Sequence, residues 1–233
     1  MPLTGTLVNA AAILVGGLTG YIFRKKLPQK YLALNMNAVA LVVLMLGMQY
    51  ALQSQQLLCL MISILCGTAL GTMLRLHDRL SDLGDWLKDK LKAGDGKFAE
   101  GFVTSVLLFC TGAMAVTGAI QSGMSHDHST LLLKAVMDGV ISIFLTSAMG
   151  LGVLFSALAV LIYQGVIALG AHALSGVMAG PALTEITAVG GILLIALGLT
   201  MLEVKQFRVS DMLPSIFLPI AFLPLINLLV NMF

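Results

Sequence analysis

A lysine and an aspartate lie together inside one long apolar segment of this chain. Lys134 and Asp138 are four residues apart, so on an α-helix they share a face and their opposite charges can neutralise each other. A charge in hydrocarbon costs at least about 2.5–3.5 kcal/mol, so both side chains should face a bundle interior or a hydrated cavity. The pair indicates a site for an ion, a proton or an anionic substrate. A structural ion pair that holds two helices in register would give the same pattern.

Neutral polar side chains in nearby apolar segments are candidates for the remaining ligands. The stretch 110–123, CTGAMAVTGAIQSG, alternates hydroxyl and amide residues with glycines. Glycines allow close helix packing, or a helix break whose freed carbonyls line a cavity, and the sequence leaves both explanations open. The predicted substrate- or ion-binding residues are Asp138, Lys134, Thr111, Thr117, Gln121 and Gln164.

Other reactive residue types do not form a recognisable site. No motif for a nucleophilic, zinc-dependent or phosphate-binding enzyme occurs, so the sequence predicts no catalytic residue and no cofactor. His126, Asp127 and His128 suggest a metal site only weakly, and a solvated loop is preferred because no other His or Cys is close in sequence. Glu185 lies near one end of its apolar segment, where we expect water to hydrate it.

The elements that must position these residues are membrane-spanning helices. The chain has 233 residues, of which 58% are hydrophobic and 10% charged. Soluble domains carry roughly a quarter charged residues, so an ordinary soluble domain is excluded. A crossing needs about 20 apolar residues, and the fold class predicted is an all-α, polytopic transmembrane bundle. The eight predicted spans are 4–23, 36–52, 57–74, 102–120, 131–148, 151–171, 186–202 and 212–233.

One polar connector interrupts this pattern between the third and fourth spans. Leucines recur at three- and four-residue steps from Leu76 to Leu91, which predicts an amphipathic helix over 76–97. We expect it to lie flat on the cytoplasmic surface with Trp86 near the lipid headgroups. The residues outside the eight spans and this helix are too few for a second domain, so residues 1–233 are predicted to form a single transmembrane domain.

Basic residues predict the orientation of the bundle. With eight spans and an outside N-terminus, all Lys and Arg residues except Lys134 fall in the loops 24–30, 75–97 and 203–211. Basic loops are retained in the cytoplasm, so both termini are predicted outside. The formal net charge of +2 gives no reason to expect a nucleic-acid partner.

Several separated motifs resemble one bacterial family. They are GTLVN at 5–9, LFCTGAM at 108–114, Lys134 to Gly139, GVLFS at 152–156 with YQG at 163–165, and AVGG at 188–191. Together they are similar to the YqgA/YdfK-type membrane family. The resemblance implies a bacterial inner-membrane location and says nothing about a substrate.

These observations favour a transporter or channel for a small ion or polar solute. Asp138 would bind a cation or proton, and Lys134 would tune its charge state. The alternative is a non-transporting membrane subunit that recruits a partner through the amphipathic helix. A homodimer is also predicted, because Gly16 with Gly20 and Gly67 with Gly71 have the spacing of close helix contacts.

Overall fold

The computed structural model of the chain describes residues 1–24, 28–90, 97–111, 113–174 and 180–230. All regular secondary structure within these ranges is helical. The elements are α1 (Thr4–Arg24), α2 (Gln29–Ala51), α3 (Leu57–Met73), α4 (Leu76–Lys90), α5 (Phe98–Cys110), α6 (Ala113–Met124), α7 (Ser129–Met149), α8 (Gly152–Leu169), α9 (Ala171–Leu174), α10 (Pro181–Met201), a 3₁₀ helix (Val209–Ile216) and α11 (Pro219–Val230).

Five of the described helices are long and apolar enough to cross a membrane by themselves: α1, α2, α7, α8 and α10. Three further pairs reach that length only together, and each pair is bent. The bends are 54° between α3 and the start of α4, 61° between α5 and α6, and 50° between the 3₁₀ helix and α11. Counting each bent pair as one span gives up to eight, by length and composition. The predicted all-α polytopic class is thereby confirmed.

Two spans predicted as continuous helices are broken, which corrects the sequence interpretation. The span 102–120 divides because α5 ends at Cys110 and Thr111 adopts an extended conformation, with φ −85° and ψ 142°. The last span begins as a 3₁₀ helix that contains Pro214, and α11 starts at Pro219. Proline lacks an amide hydrogen and clashes with the preceding turn, so it interrupts a regular α-helix.

Several helices begin earlier than hydropathy predicts, and the differences are largest for α2 and α10. The second starts at Gln29 instead of residue 36, and α10 starts at Pro181 instead of residue 186. Helical hydrogen bonding continues past the apolar window, and a proline is well tolerated in the first helical turn. As a result, Glu185 lies within α10 and not at its outer boundary.

Glycines bring the helices into backbone contact. A Cβ at Gly20 of α1 would overlap the Ile143 carbonyl oxygen of α7, and one at Gly71 of α3 would overlap the Asp211 carbonyl oxygen of the 3₁₀ helix. Gly16 and Gly67 lie one turn earlier than these two glycines. Gly16 also contacts α7, and Gly67 also contacts the 3₁₀ helix. Both spaced glycine pairs are therefore used in packing within the chain. The two glycine pairs are therefore not available to contact a second copy of the chain. Homodimerisation stays a prediction, without support from these glycines.

The amphipathic connector is present as a helix over most of its predicted length. α4 spans Leu76–Lys90 and packs against α5 and the 3₁₀ helix. Residues 91–96 of the predicted 76–97 helix lie outside the described residues. Trp86 is 54% exposed, as a residue that meets lipid headgroups should be.

Candidate functional site

The Lys134–Asp138 pair lies at the centre of the bundle. Lys134 Nζ donates hydrogen bonds to both carboxylate oxygens of Asp138, at 2.8 and 2.7 Å. The two residues are only 6% and 4% exposed, and Asp138 lies near the middle of the 21-residue helix α7. The i, i+4 spacing therefore forms a closely matched ion pair within one helix, shielded from the surface.

Asn9 and Gln164 extend this pair into a four-residue network. Asn9 Nδ2 of α1 donates to Asp138 Oδ2 at 3.1 Å and to Gln164 Oε1 of α8 at 3.3 Å. Both amide residues are fully buried. Three helices thus contribute to one polar cluster. The sequence signal for Asn9 was its position inside an otherwise apolar span, but nothing in the sequence connects it to α7.

Two atoms of this network have no hydrogen-bond partner among the described residues. They are Asn9 Oδ1, an acceptor, and Gln164 Nε2, a donor, and both are buried. A buried polar atom left unpaired costs about 1–3 kcal/mol. The network therefore retains capacity to bind a further polar group, which a closed structural ion pair would not need.

A small cavity lies directly beside the ion pair. Its volume is about 30 Å³, and its polar lining comes from Tyr50, Thr111, Lys134 and Asp138, with six apolar side chains completing the wall. Holding one water takes about 10–15 Å³ of such volume. The site as it stands therefore has space for about two waters or one bare ion, and not for a metabolite.

The predicted site residues separate into two groups. Thr111 lines the cavity, and Gln164 belongs to the network. Thr117 is half-buried on α6 and is not among the residues that line the cavity. Gln121 is exposed, and its Oε1 accepts a hydrogen bond from Thr130 Oγ1 at 2.7 Å. The 61° bend after Thr111 turns α6 away from the line of α5, so the last two residues do not join Asp138.

Glu185 is a second buried carboxylate, and the prediction that water hydrates it is wrong. It is 0% exposed, and Oε1 accepts hydrogen bonds from the amides of Gln55 and Gln56 at 2.7 and 2.9 Å. Oε2 accepts from Ser54 Oγ at 2.7 Å. These donors immediately precede α3, where the helix dipole favours a negative charge. Glu185 therefore anchors the α2–α3 loop and caps a helix.

Asp211 is a buried carboxylate that caps a helix at the bend between α3 and α4. Its Oδ1 accepts a hydrogen bond from the His77 amide in the first turn of α4, at 2.8 Å, and the residue is 3% exposed. Arg75, between the two helices, has a positive φ of 51°, a conformation that an L-residue adopts only under local constraint. The carboxylate compensates for the exposed helix terminus, and this is a structural role.

The 126–128 loop also uses its polar groups locally. Asp127 Oδ1 accepts a hydrogen bond from the Ser129 amide at 3.0 Å, which holds the pKa of Asp127 below its usual value. His128 Nδ1 lies 2.8 Å from Ser122 Oγ. Among the described residues, no three His, Cys, Asp or Glu side chains are placed to hold a metal ion.

Two larger cavities lie between the ion pair and one end of the bundle. The outermost, about 770 Å³, is lined by charged residues that include Arg24, Lys97, Glu100 and Glu203. The next, about 340 Å³, is an apolar crevice between α2 and α7. It shares three lining residues with the small cavity: Leu46, Leu108 and Ile141. These side chains separate the small cavity from the apolar crevice.

Comparison with known proteins agrees with the resemblance seen in the motifs. The family described as "Protein of unknown function (DUF554)" matches residues 4–223. The chain is 32% identical over 219 residues to the "Uncharacterized membrane protein YdfK" of Bacillus subtilis (strain 168). It is 26% identical over 219 residues to the "Uncharacterized protein YqgA" of Escherichia coli (strain K12). Each match covers 92% of this chain and 93% of the relative. No solved structure matches the chain.

Proposed function

We propose a transport function for this chain, which belongs to the DUF554 family of proteins of unknown function. It moves a small ion or polar solute across the membrane through the site around Lys134 and Asp138, as a transporter or a channel, and catalyses no covalent reaction. The observation that carries the proposal is the buried ion pair with a polar cavity beside it. Asp138 binds the cation or proton, and Lys134 sets the charge of the site.

Stability alone does not account for this cluster. Replacing a buried ion pair by well-packed apolar residues is often neutral or stabilising, so such a pair is weak evidence of a stabilising role. Here the pair is also joined to Asn9 and Gln164, each of which keeps one buried atom without a partner among the described residues. Unsatisfied polar atoms in the network of a buried charged pair are an expected feature of a site that binds and releases a polar species.

The break between α5 and α6 supports the same function. Transporters commonly place interrupted helices at the binding site, because the ends of half-helices present unpaired carbonyls and amides. Thr111 stands at this break and lines the cavity. Leu46, Leu108 and Ile141 separate the small cavity from the neighbouring apolar crevice. Transport therefore requires a conformation in which the small cavity opens to water.

Membrane orientation follows from the charged end of the bundle. Arg24, Lys97 and Glu203 line one cavity there, and the exposed Arg208 lies 3.8 Å from Asp78 of α4. Basic residues at span ends favour the cytoplasmic side. We therefore place this end in the cytoplasm and both termini outside, in a multi-pass protein of the bacterial inner membrane. The relatives come from two bacteria, and one is named a membrane protein.

The proposal is tested by flux measurements in proteoliposomes. We expect a panel of ions and small polar solutes to include at least one that the wild type moves and Asp138→Asn does not. Asp78→Asn is the matched control, because Asp78 is an exposed acid on α4. The double variant Lys134→Met with Asp138→Leu removes both charges and should remain folded while losing flux.

No solute whose movement depends on Asp138, with all variants folded, would contradict a transport function. In that case, copurification of a stoichiometric partner that is lost when the exposed face of α4 is altered would favour a partner-recruiting subunit. The exposed Trp86 is the residue on that face to replace first.

A further inference from the structure

We propose that Lys134 is an exchangeable counter-ion, so that one monovalent cation binds Asp138 for each proton that Lys134 releases. This inference rests on the proposed function and specifies its substrate class. The juxtaposition that carries it is the contact of one ammonium with both oxygens of Asp138, in a cavity that both residues line.

The ammonium of Lys134 occupies the position that a bound cation needs. Asp138 Oδ1 and Oδ2 both accept from Lys134 Nζ, and Oδ2 also accepts from Asn9 Nδ2. A carboxylate has about four lone-pair sites, so one remains for another partner. A cation that enters the cavity must therefore compete directly with Lys134 for the carboxylate.

Charge balance determines the protonation state of Lys134 when a cation binds Asp138. One carboxylate cannot neutralise two cations, and an uncompensated buried charge is strongly destabilising. Among the described residues, Tyr50 of α2 lines the cavity together with the pair and Cys110 of α5 is close enough to interact with both charges, and neither supplies a permanent charge. The neighbouring side chains of α1 and α8 in the network, Asn9 and Gln164, are neutral amides. Cation binding therefore requires Lys134 to become a neutral amine.

The same charge balance favours a monovalent cation over a divalent one. With Lys134 neutral, the site carries a single negative charge, so a divalent ion would leave one positive charge uncompensated. The cavity of about 30 Å³ takes one ion without its hydration shell. Oxygen ligands suited to such an ion line the cavity on Asp138, Thr111 and Tyr50.

The exchange is balanced in atoms and charge. The Lys134 ammonium paired with the Asp138 carboxylate, plus one cation, gives the Lys134 amine, the cation bound to the carboxylate, and one proton released to the solvent. The site has zero net charge before and after. Cation movement in one direction and proton movement in the other is therefore electroneutral.

The experiment measures proton and cation movement in the same proteoliposomes. A pH-sensitive dye is sealed inside vesicles that contain the full chain, and Na⁺, K⁺ or Li⁺ is added outside. We expect the interior to become alkaline with at least one of these ions, with one proton leaving per cation that enters, independently of an imposed membrane potential. In purified protein at low buffer capacity, the same ion should release one proton per ion bound.

Two variants of Lys134 test whether the proton on its ammonium takes part in the exchange. Lys134→Arg keeps the positive charge but cannot release a proton, so the exchange should be lost while the protein stays folded. Lys134→Gln leaves Asp138 without a counter-ion, so cation movement should persist, should respond to membrane potential, and should no longer move protons. This division between the two variants is not expected of a residue that only supports packing.

The possible failures separate the two proposals. Asp138-dependent cation flux without proton movement, or full exchange in Lys134→Arg, would overturn the exchange mechanism and leave the transport function standing. Asp138-dependent movement of an uncharged solute or a divalent ion would also overturn it. If no solute moves in an Asp138-dependent way, both the exchange mechanism and the transport function fail.

Discussion

Buried acids perform two kinds of task in this protein. Glu185 and Asp211 accept hydrogen bonds from backbone amides at the starts of α3 and α4, so their charge compensates helix termini. Asp138 instead faces Lys134 and a cavity. The residue type is nearly the same in all three cases. The partner group, amide or ammonium, decides whether the carboxylate is a structural anchor or a group that can exchange ligands.

The first prediction concerns the stability of the ion pair. Removing one partner of a buried pair leaves the other charge uncompensated, so Asp138→Asn should lower the free energy of unfolding by about 3–5 kcal/mol. The double variant Lys134→Met with Asp138→Leu should recover most of that loss, because no charge remains. Unfolding of the purified variants in detergent measures both effects. An Asp138→Asn variant as stable as the wild type would mean that Lys134 reaches water or is neutral in the variant.

At the scale of the helices, close packing and interruption have different origins. α1 approaches α7, and α2 approaches α10, through glycines that allow backbone contact without side chains between them. α5 and α6 separate where Thr111 leaves the helical conformation. The first feature makes a rigid frame around the ion pair. The second places a helix end at the cavity.

The second prediction tests the glycine contacts. Gly20→Ala would force a methyl group onto the Ile143 carbonyl of α7 and should lower the free energy of unfolding by about 1–3 kcal/mol. Gly165→Ala on α8 is the matched control, since its new methyl would lie 3.8 Å from Leu3 Cδ2, an ordinary contact. The measurement is the unfolding midpoint of each variant in the same detergent. Equal losses at the two positions would contradict the assigned contact between α1 and α7.

At the scale of the whole molecule, polar groups are graded along the bundle. A charged cavity of about 770 Å³ opens at one end, an apolar crevice follows, and the ion pair lies beyond it. Desolvation rises along this line, since only a small cavity adjoins the pair. An ion that reached Asp138 would have lost its hydration shell, and for this reason the site must supply both a counter-charge and oxygen ligands.

The third prediction tests the orientation of the molecule. Eight crossings with the basic end in the cytoplasm would put the C-terminus outside, which is the orientation we propose. Alkaline phosphatase fused after Phe233 should be active in intact bacteria, whereas green fluorescent protein at the same position should not fluoresce. The control is a fusion after Lys97, at the basic end, where the two reporters should behave in the opposite way. A fluorescent C-terminal fusion would contradict an outside C-terminus.

The sequence by itself determined that most of this chain is suited to a lipid bilayer, that its fold is helical, and that Lys134 and Asp138 form a pair. Those conclusions rest on local properties: an apolar run long enough to cross a bilayer, and a four-residue spacing that places two side chains on one helix face. The sequence did not determine the form of the last predicted span, because its prolines indicate a bend without giving its direction or its 3₁₀ character.

Only the tertiary structure decided which polar residues meet. Asn9 and Gln164 join Asp138 from α1 and α8, while Gln121 turns away with α6. Glu185 is buried because the α2–α3 loop folds over it. Contacts between distant segments depend on which helices pack together and where a helix breaks. Those outcomes reflect the balance of many weak contacts across the bundle, and neither residue type nor spacing within one segment specifies them.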